Sequence, residues 1–267
     1  MYTTISSADG TVLAADLLVP AGAGRGLVLV HGGGVDRHEG GFFDRLAAGL
    51  ADGGIASLRI DLRGHGESSG APQDVTLAGV GNDVLAAVDA LADRLDVARV
   101  GVLGASFSGG VCASVTARRP DRVTQLVLLN PLLDYKNRFV DQKAEWAADR
   151  LLPDAAQTLV EQGYLAHSPT FRLGPALLNE VFWWDSRADL ASVSVPTLIV
   201  HGTADTFIPI ESSRRAVAVL SCRHELVELD GAQHGIAVPD DPRYADPRTR
   251  EWQELVIRRV VGWSAVE

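Results

Sequence analysis

Apolar residues in this chain fall in short, nearly unbroken runs set between polar, glycine-rich breaks. Residues 27–30, 55–60, 100–103, 123–129 and 197–200 are β-type runs with little alternation, the pattern of strands buried on both faces. Residues 2–6 and 12–19 read as two strands joined at Asp9-Gly10, a hairpin signal. Residues 225–229 alternate and close the set. Helical spacing fills the gaps. Phe43, Leu46, Ala47 and Leu50 share a face over 43–51, and Val80, Val84, Ala87, Val88 and Leu91 do so over 76–91. Residues 111–118, 211–220 and 248–261 read as further helices, the last with Trp252, Leu255, Val256 and Val260 apolar. Eight strands alternating with helices predict an α/β fold, a mostly parallel sheet flanked by helices on both faces.

Residues 132–195 break the alternation. The stretch is too long for a plain crossover and is expected to form several short helices. It carries Tyr135, Phe139, Trp146, Tyr164, Phe171, Phe182, Trp183 and Trp184, half of the aromatic residues of the chain. An insertion at the C-terminal edge of the sheet is where a lid over a site would sit. The expected organisation is therefore a core of residues 1–131 and 196–267 with a helical lid, 132–195, inserted before the last strands. Trp183 and Trp184 are the rings expected to face a substrate, and the rest form the core of the lid.

At 267 residues the chain can bury a large core as one domain. A formal net charge of −10 argues against nucleic acid or an anionic membrane as partner. No apolar run approaches the roughly 20 residues that span a bilayer. The opening residues lack a basic start followed by an apolar run, so no secretory signal is expected. Cys112 and Cys222 are the only cysteines, and they read as reduced packing residues of a cytoplasmic protein. A homodimer is the base-rate expectation.

The chemistry gathers at Gly104-Ala105-Ser106-Phe107-Ser108. It follows the 100–103 strand, precedes a helix, and fits the nucleophile elbow Gly-x-Ser-x-Gly with Ser108 at the last position. The residues two before and two after the nucleophile must be small, because strand and helix backbones pass close there. A serine hydroxyl needs a histidine to take its proton and a carboxylate to fix the tautomer of that histidine. In this architecture the partners follow in the order Ser, Asp or Glu, His, each past a strand. Asp205 lies past the 197–200 strand, and His234 past the 225–229 strand. Ser108 is a rival hydroxyl, but it would lose Gly104 as the closely packed position. Asp134, past the 123–129 strand, is the rival acid, and Asp230 reads as a turn residue. His31 and His201 sit at strand ends and read as loop braces. His38, His65, His167 and His224 read as surface, loop or lid residues.

An acyl-transfer site also needs amides aimed at developing negative charge. The Phe107 amide, at the start of the helix, is one candidate. The loop His31-Gly32-Gly33-Gly34 supplies the other, with Gly33 preferred and Gly34 the near alternative and a candidate substrate contact. No metal-ligand spacing, dinucleotide fingerprint or phosphate loop is present, so neither metal nor cofactor is expected.

Taken together, the elbow, the His31-Gly32-Gly33 loop, Asp61-x-Arg63-Gly64-His65-Gly66-x-Ser68, His201-Gly202-x-x-Asp205 and Gly231-Ala232-x-His234 resemble the α/β-hydrolase superfamily over nearly the whole chain. Within it the chain is similar to serine esterases of the feruloyl/cinnamoyl esterase and monoacylglycerol-lipase-like groups. That resemblance implies Ser106, Asp205 and His234 as the triad, with Gly33 and Phe107 as oxyanion amides. It implies hydrolysis of a small-molecule ester with an apolar or aromatic acyl part. The Ser-x-Ser elbow, and Val-Phe-Trp-Trp-Asp at 181–185, are also similar to the acyl-thioester hydrolases or acyl transferases that supply fatty acid for bacterial bioluminescence. Thioesters, including carrier-bound acyl chains, are the alternative substrates. An elbow aspartate, as in the dehalogenase and epoxide-hydrolase branch, is absent.

Overall fold

The computed structural model describes residues 1–266. Eight strands form one sheet: β1 (Tyr2–Ser6), β2 (Val12–Leu18), β3 (Gly26–Val30), β4 (Ala56–Ile60), β5 (Val100–Ala105), β6 (Val123–Leu129), β7 (Thr197–Gly202) and β8 (His224–Leu229). Their order is β1-β2-β4-β3-β5-β6-β7-β8. β1 and β2 pair antiparallel, as do β2 and β4, and every later pair is parallel. The continuous apolar runs lie where both faces are covered, and every residue of β3, β5 and β7 is buried. Chain direction across the sheet reverses between β3 and β5, the kind of switch point where open α/β sheets bind ligands beyond the strand ends.

Two layers cover the sheet. Helices α1 (Phe42–Asp52) and α8 (Pro247–Ala265) pack on one face, through Phe43, Leu46 and Leu50 against Trp252, Val256 and Val260. Helices α2 (Leu77–Leu95) and α3 (Ser108–Arg118) cover the other, through Val80, Val84, Val88 and Val111. α2 runs past its apolar stripe to Leu95, because Asp96 closes it in the left-handed conformation (φ 54°). Thr76 caps its start by accepting from the Gly79 amide at 2.9 Å.

Residues 132–195 mix short helices with hairpins. They hold three short helices, α4 (Pro153–Gln162), α5 (Pro175–Glu180) and α6 (Ser186–Ala191), with α7 (Glu211–Val217) following only after β7. A π-helical turn, Asn137–Asp141, and two hairpins of two-residue strands make up the rest. No residue of α4 is buried, so this helix lacks the packing that would make it longer. The segment is pinned to the core by polar contacts. Glu180 of α5 accepts from the Leu77 amide at the start of α2, and Asp189 of α6 accepts from Ser114 and pairs with Arg118 of α3.

The polar stretch after β4 is organised by a buried carboxylate. Asp61 is fully buried and accepts from the Arg37 amide at 2.7 Å, the Arg37 guanidinium and the Glu67 amide at 2.8 Å. A Cβ added at Gly66 would lie 2.1 Å from Asp61 Oδ2, so only glycine fits there. Removing one member of a buried, hydrogen-bonded charge pair leaves the other uncompensated. Asp61→Ala is therefore expected to lower unfolding free energy by about 3 kcal/mol in urea titration. A midpoint unchanged from wild type would contradict this reading of the crossover.

Candidate active site

Ser106 sits between β5 and α3 with φ 48°, a left-handed conformation costly for a residue with a Cβ. Its backbone is held on three sides. Its amide donates to Leu129 O at 2.9 Å, and its carbonyl accepts from the Leu132 and Gly109 amides at 2.8 and 3.0 Å. A Cβ at Gly104 would lie 2.8 Å from Cys112 Sγ and 3.1 Å from Ser108 O, so strand and helix meet there only through glycine. Ser108 is fully buried, and its hydroxyl lies 2.9 Å from Val30 O and 3.0 Å from Ala105 O. The departure from Gly-x-Ser-x-Gly thus ties the elbow to the ends of β3 and β5. It also removes Ser108 from contact with any imidazole. Tyr135, buried, donates to Phe107 O at 2.6 Å and accepts from the Val111 amide at 3.0 Å.

Three side chains remote in sequence meet at this edge. His234 Nε2 lies 2.9 Å from Ser106 Oγ, and His234 Nδ1 lies 2.7 Å from Asp205 Oδ2. Asp205 Oδ1 accepts from the Phe207 and Ile208 amides, both at 2.8 Å. Burial alone would raise the Asp205 carboxyl, but bonds from His201 and His234, the charge of His234 and the Ile208 amide outweigh it. They hold the group well below the usual carboxylate range. His201 is fully buried, with Nε2 2.8 Å from Ile208 O and 3.4 Å from Asp205 Oδ2, and Nδ1 2.7 Å from Ser213 Oγ. Asn130 joins the strand ends, accepting from the Gly202 amide at 3.0 Å. Asp134 is exposed and accepts from the Asn137 amide, and Asp230 lies at a turn near Thr203, so neither meets His234.

The loop after β3 is clamped by two histidines. His31 Nε2 accepts from the Leu62 amide at 2.9 Å, which leaves Nδ1 to donate to Gly32 O at 2.6 Å. Burial, then the neighbouring His65, pushes the His31 imidazole down toward its neutral form. Because a trans peptide points its N–H opposite its C=O, fixing Gly32 O also fixes the direction of the Gly33 N–H. His65, in the loop after β4, is buried, and its Nε2 accepts from the Gly34 amide at 3.0 Å. The Gly34 amide is thereby engaged. Those of Gly33 and Phe107 make no hydrogen bond among the described residues.

One residue here escaped the sequence reading. Glu39 stands between β3 and α1, half-buried, with φ 46°, followed by Gly40 at 61° and Gly41 at 87°. This left-handed run turns its carboxylate back to accept from the Gly32 amide at 2.6 Å. The glycine pair 40–41 was the one signal available, since successive left-handed positions favour glycine. Burial pushes the Glu39 carboxyl up to about 7, against the Gly32 bond and the His234 charge and with the help of Asp36.

A cavity of about 180 Å³ opens beside Ser106. Its walls include Val35, Phe42, Phe43, Leu129, Ile236 and Tyr244, with Glu39 and His234 beside them. None of the lining residues comes from 132–195. The expectation for Trp183 and Trp184 is corrected accordingly. Trp183 is 90% exposed, and Trp184 packs under the Arg118 guanidinium, 5.2 Å away, on the far side of α3. Each sits on a connection anchored to α3, not at the strand ends. Gly34 faces a separate hollow with His65 and Thr170. The rings of the segment that approach the site are others. Phe171 packs on Phe107 with centroids 4.9 Å apart and would meet a Cβ at Gly33 at 3.1 Å. Phe207, after β7, packs tilted against His234 with centroids 4.8 Å apart, and the Arg138 guanidinium lies 3.8 Å over the Phe207 ring. Among the described residues no cluster of His, Cys, Asp and Glu could hold a metal ion, and no helix is long and apolar enough to cross a membrane.

The chain matches the family described as alpha/beta hydrolase family over residues 27–246. It is 28% identical over 251 residues to non-heme chloroperoxidase CPO-A1 of Kitasatospora aureofaciens, covering 82% of this chain and 89% of that protein. It is 30% identical over 206 residues to the pimeloyl-[acyl-carrier protein] methyl ester esterase of Neisseria meningitidis, covering 68% of this chain and 75% of that protein. Its fold is shared with Est1E of Butyrivibrio proteoclasticus bound to ferulic acid, with TM-score 0.76 and 23% identity over 97% of this chain and 99% of the other.

The Glu39 carboxyl sets a pH dependence of stability. Its value is 4.5 when unperturbed and about 7 in the fold, so between these limits the folded state holds a proton that the unfolded state has lost. Stability from this group is full below 4.5 and is lost as pH rises through 7. Glutamine has no proton to lose and keeps an acceptor for Gly32. Glu39→Gln is expected to gain about 1–2 kcal/mol over wild type at pH 8 relative to pH 5, after allowing for screening of a half-buried group. Denaturant melts at both pH values check this, and an identical offset at the two would refute it.

Proposed function

The chain belongs to the alpha/beta hydrolase family, and from that premise we propose that it is a serine hydrolase that cleaves carboxylic esters with a small apolar or aromatic acyl group. The observation that carries the reading is the continuous relay from Ser106 Oγ through His234 to Asp205, at 2.9 and 2.7 Å. The family match and the esterase among its relatives support ester hydrolysis in general. The cavity supports a small acyl part, because about 150 Å³ of apolar space suffices for a benzene ring.

In this mechanism Ser106 Oγ attacks the ester carbonyl while His234 Nε2 takes its proton. Asp205 holds the Nδ1 proton in place and stabilises the imidazolium that forms. The carbonyl oxygen becomes an oxyanion and receives the Gly33 and Phe107 amides. The Gly33 amide is fixed beforehand by His31 on Gly32 O, and the Phe107 amide by the Leu132 and Gly109 bonds to Ser106 O, so no reorganisation is spent at the moment of reaction. His234 then gives its proton to the departing alcohol, leaving the acyl group on Ser106. Water enters, His234 takes one of its protons, and the acid leaves as Ser106 is regenerated. Residues 132–195 act as a lid whose Phe171 shields the Gly33 side of the site.

Hydrolysis of thioesters, or transfer to another acceptor, is the second reading. The relative named as a methyl ester esterase of a carrier-bound acyl chain supports a carrier-bound substrate, and the same relay would serve a thioester.

The test compares wild type, Ser106→Ala, His234→Ala and the double variant on nitrophenyl acetate, nitrophenyl benzoate and an acyl-N-acetylcysteamine thioester. Each single variant is expected to lose at least about 10⁴-fold in kcat, with the double variant no worse than the singles, as befits residues acting as a unit. A fluorophosphonate probe should label wild type at Ser106 and fail on Ser106→Ala. Retention of wild-type rates in Ser106→Ala would overturn the mechanism. Faster turnover of the thioester than of both oxygen esters would favour the second reading.

A further inference from the structure

The cavity beside Ser106 is walled mainly by apolar side chains; apart from Ser106 and His234, its polar side chains are the Glu39 carboxyl, Tyr244 and Asn130, whose side-chain oxygen is occupied by the Gly202 amide. Glu39 Oε1 accepts from Gly32, while Oε2 has no hydrogen bond among the described residues. The carboxyl lies close to the reacting oxygen. A Cβ built on Gly32 would be 3.4 Å from Glu39 Oε1 and 3.6 Å from Ser106 Oγ, so the two oxygens are no farther apart than the sum of those distances.

Placing a carboxyl there is costly in two ways. Three successive left-handed residues hold it, one of them not a glycine. Its burial among Phe42, Phe43 and Ile236 disfavours the charged form. A loop brace alone would not require this, since His31 and His65 already fix the flanking groups of the same loop. An acceptor with one free oxygen, facing a mainly apolar cavity, is instead placed to take a donor that arrives with the substrate.

We infer that Glu39 is a specificity-determining residue, and that the substrate part seated in this cavity carries a hydrogen-bond donor, an ammonium or a hydroxyl, a few bonds from the scissile carbonyl. The inference rests on Ser106 as nucleophile and adds to it the polarity of the substrate. Either donor fills the free oxygen. An ammonium also neutralises the carboxylate. Above pH 7, where Glu39 is charged, a carboxylate at the same position on the substrate would meet it as a like charge and be rejected, so the test esters are compared at pH 8.

The test uses two sets of esters that cannot cyclise. One consists of methyl benzoates bearing 3-aminomethyl, 3-hydroxymethyl, 3-ethyl or 3-carboxyl groups. The other places the same substituents on benzyl acetate, so that acyl and alcohol sides are both sampled. In one set, wild type is expected to favour the aminomethyl and hydroxymethyl esters over the ethyl ester by about tenfold in kcat/KM, with the carboxyl ester slowest. Glu39→Gln, which keeps an acceptor for Gly32, should lose the aminomethyl preference and gain on the carboxyl ester. The wild-type ranking can overturn the inference without any variant. If the probe labels Ser106 yet wild type shows no donor preference in either set, this inference alone falls. If the preference is present but unchanged in Glu39→Gln, Glu39 only braces the loop, and the inference again falls. If Ser106 is neither labelled nor needed for turnover, both readings fall together.

Discussion

The site depends on one strained residue. Ser106 holds a left-handed backbone that costs of order 1–3 kcal/mol for a side chain with a Cβ. That conformation lifts its hydroxyl clear of both β5 and α3. What maintains it is the over-determination of its surroundings. Bonds from Leu129, Leu132 and Gly109 fix both peptide groups around it. The near-contact of Gly104 with Cys112 leaves the strand no room to relax. The buried Ser108 hydroxyl, bonded to carbonyls of both β3 and β5, locks the turn to the neighbouring strand end. A glycine at 108 would allow the same approach without that tie.

Polar groups around this point work by orienting other groups. Asp61 holds the crossover that presents the Leu62 amide, that amide sets the tautomer of His31, and His31 sets the peptide between Gly32 and Gly33. His65 occupies the Gly34 amide, and Tyr135 fixes the carbonyl of Phe107. The result is a loop in which the Gly32 and Gly34 amides are bonded and the Gly33 amide between them is not. Because these contacts are buried, each depends on the others being made, since an unpaired buried polar group costs more than a made bond gains.

The two sides of the site differ in character. Residues 132–195 and Phe207 contribute aromatic rings that close over Phe107 and His234. The open side is built by the core itself, from the start of α1 and the turn after β8 that carries Ile236 and Tyr244. Substrate recognition in the proposed reaction thus falls to core loops, with the inserted segment acting as a wall.

Local chemistry along the chain sufficed to determine the strands, the helices, the elbow and the order of Ser106, Asp205 and His234. Buried parallel strands need continuous apolar runs, and a tight strand-to-helix turn needs small residues at fixed offsets; both requirements are met within a few consecutive positions. The path of residues 132–195 was less legible. Its short helices and hairpins are held by Glu180 and Asp189 reaching partners on α2 and α3, far away in sequence. The same limit hides the contacts of Glu39 and His65 and the exposure of Trp183. Whether a ring faces solvent, or which of three adjacent glycine amides stays unbonded, is decided by which remote segment packs there. Only the folded chain brings Gly32, Glu39 and Ser106 to one point, because the spacing of neighbours in sequence carries no information about contacts made across the sheet.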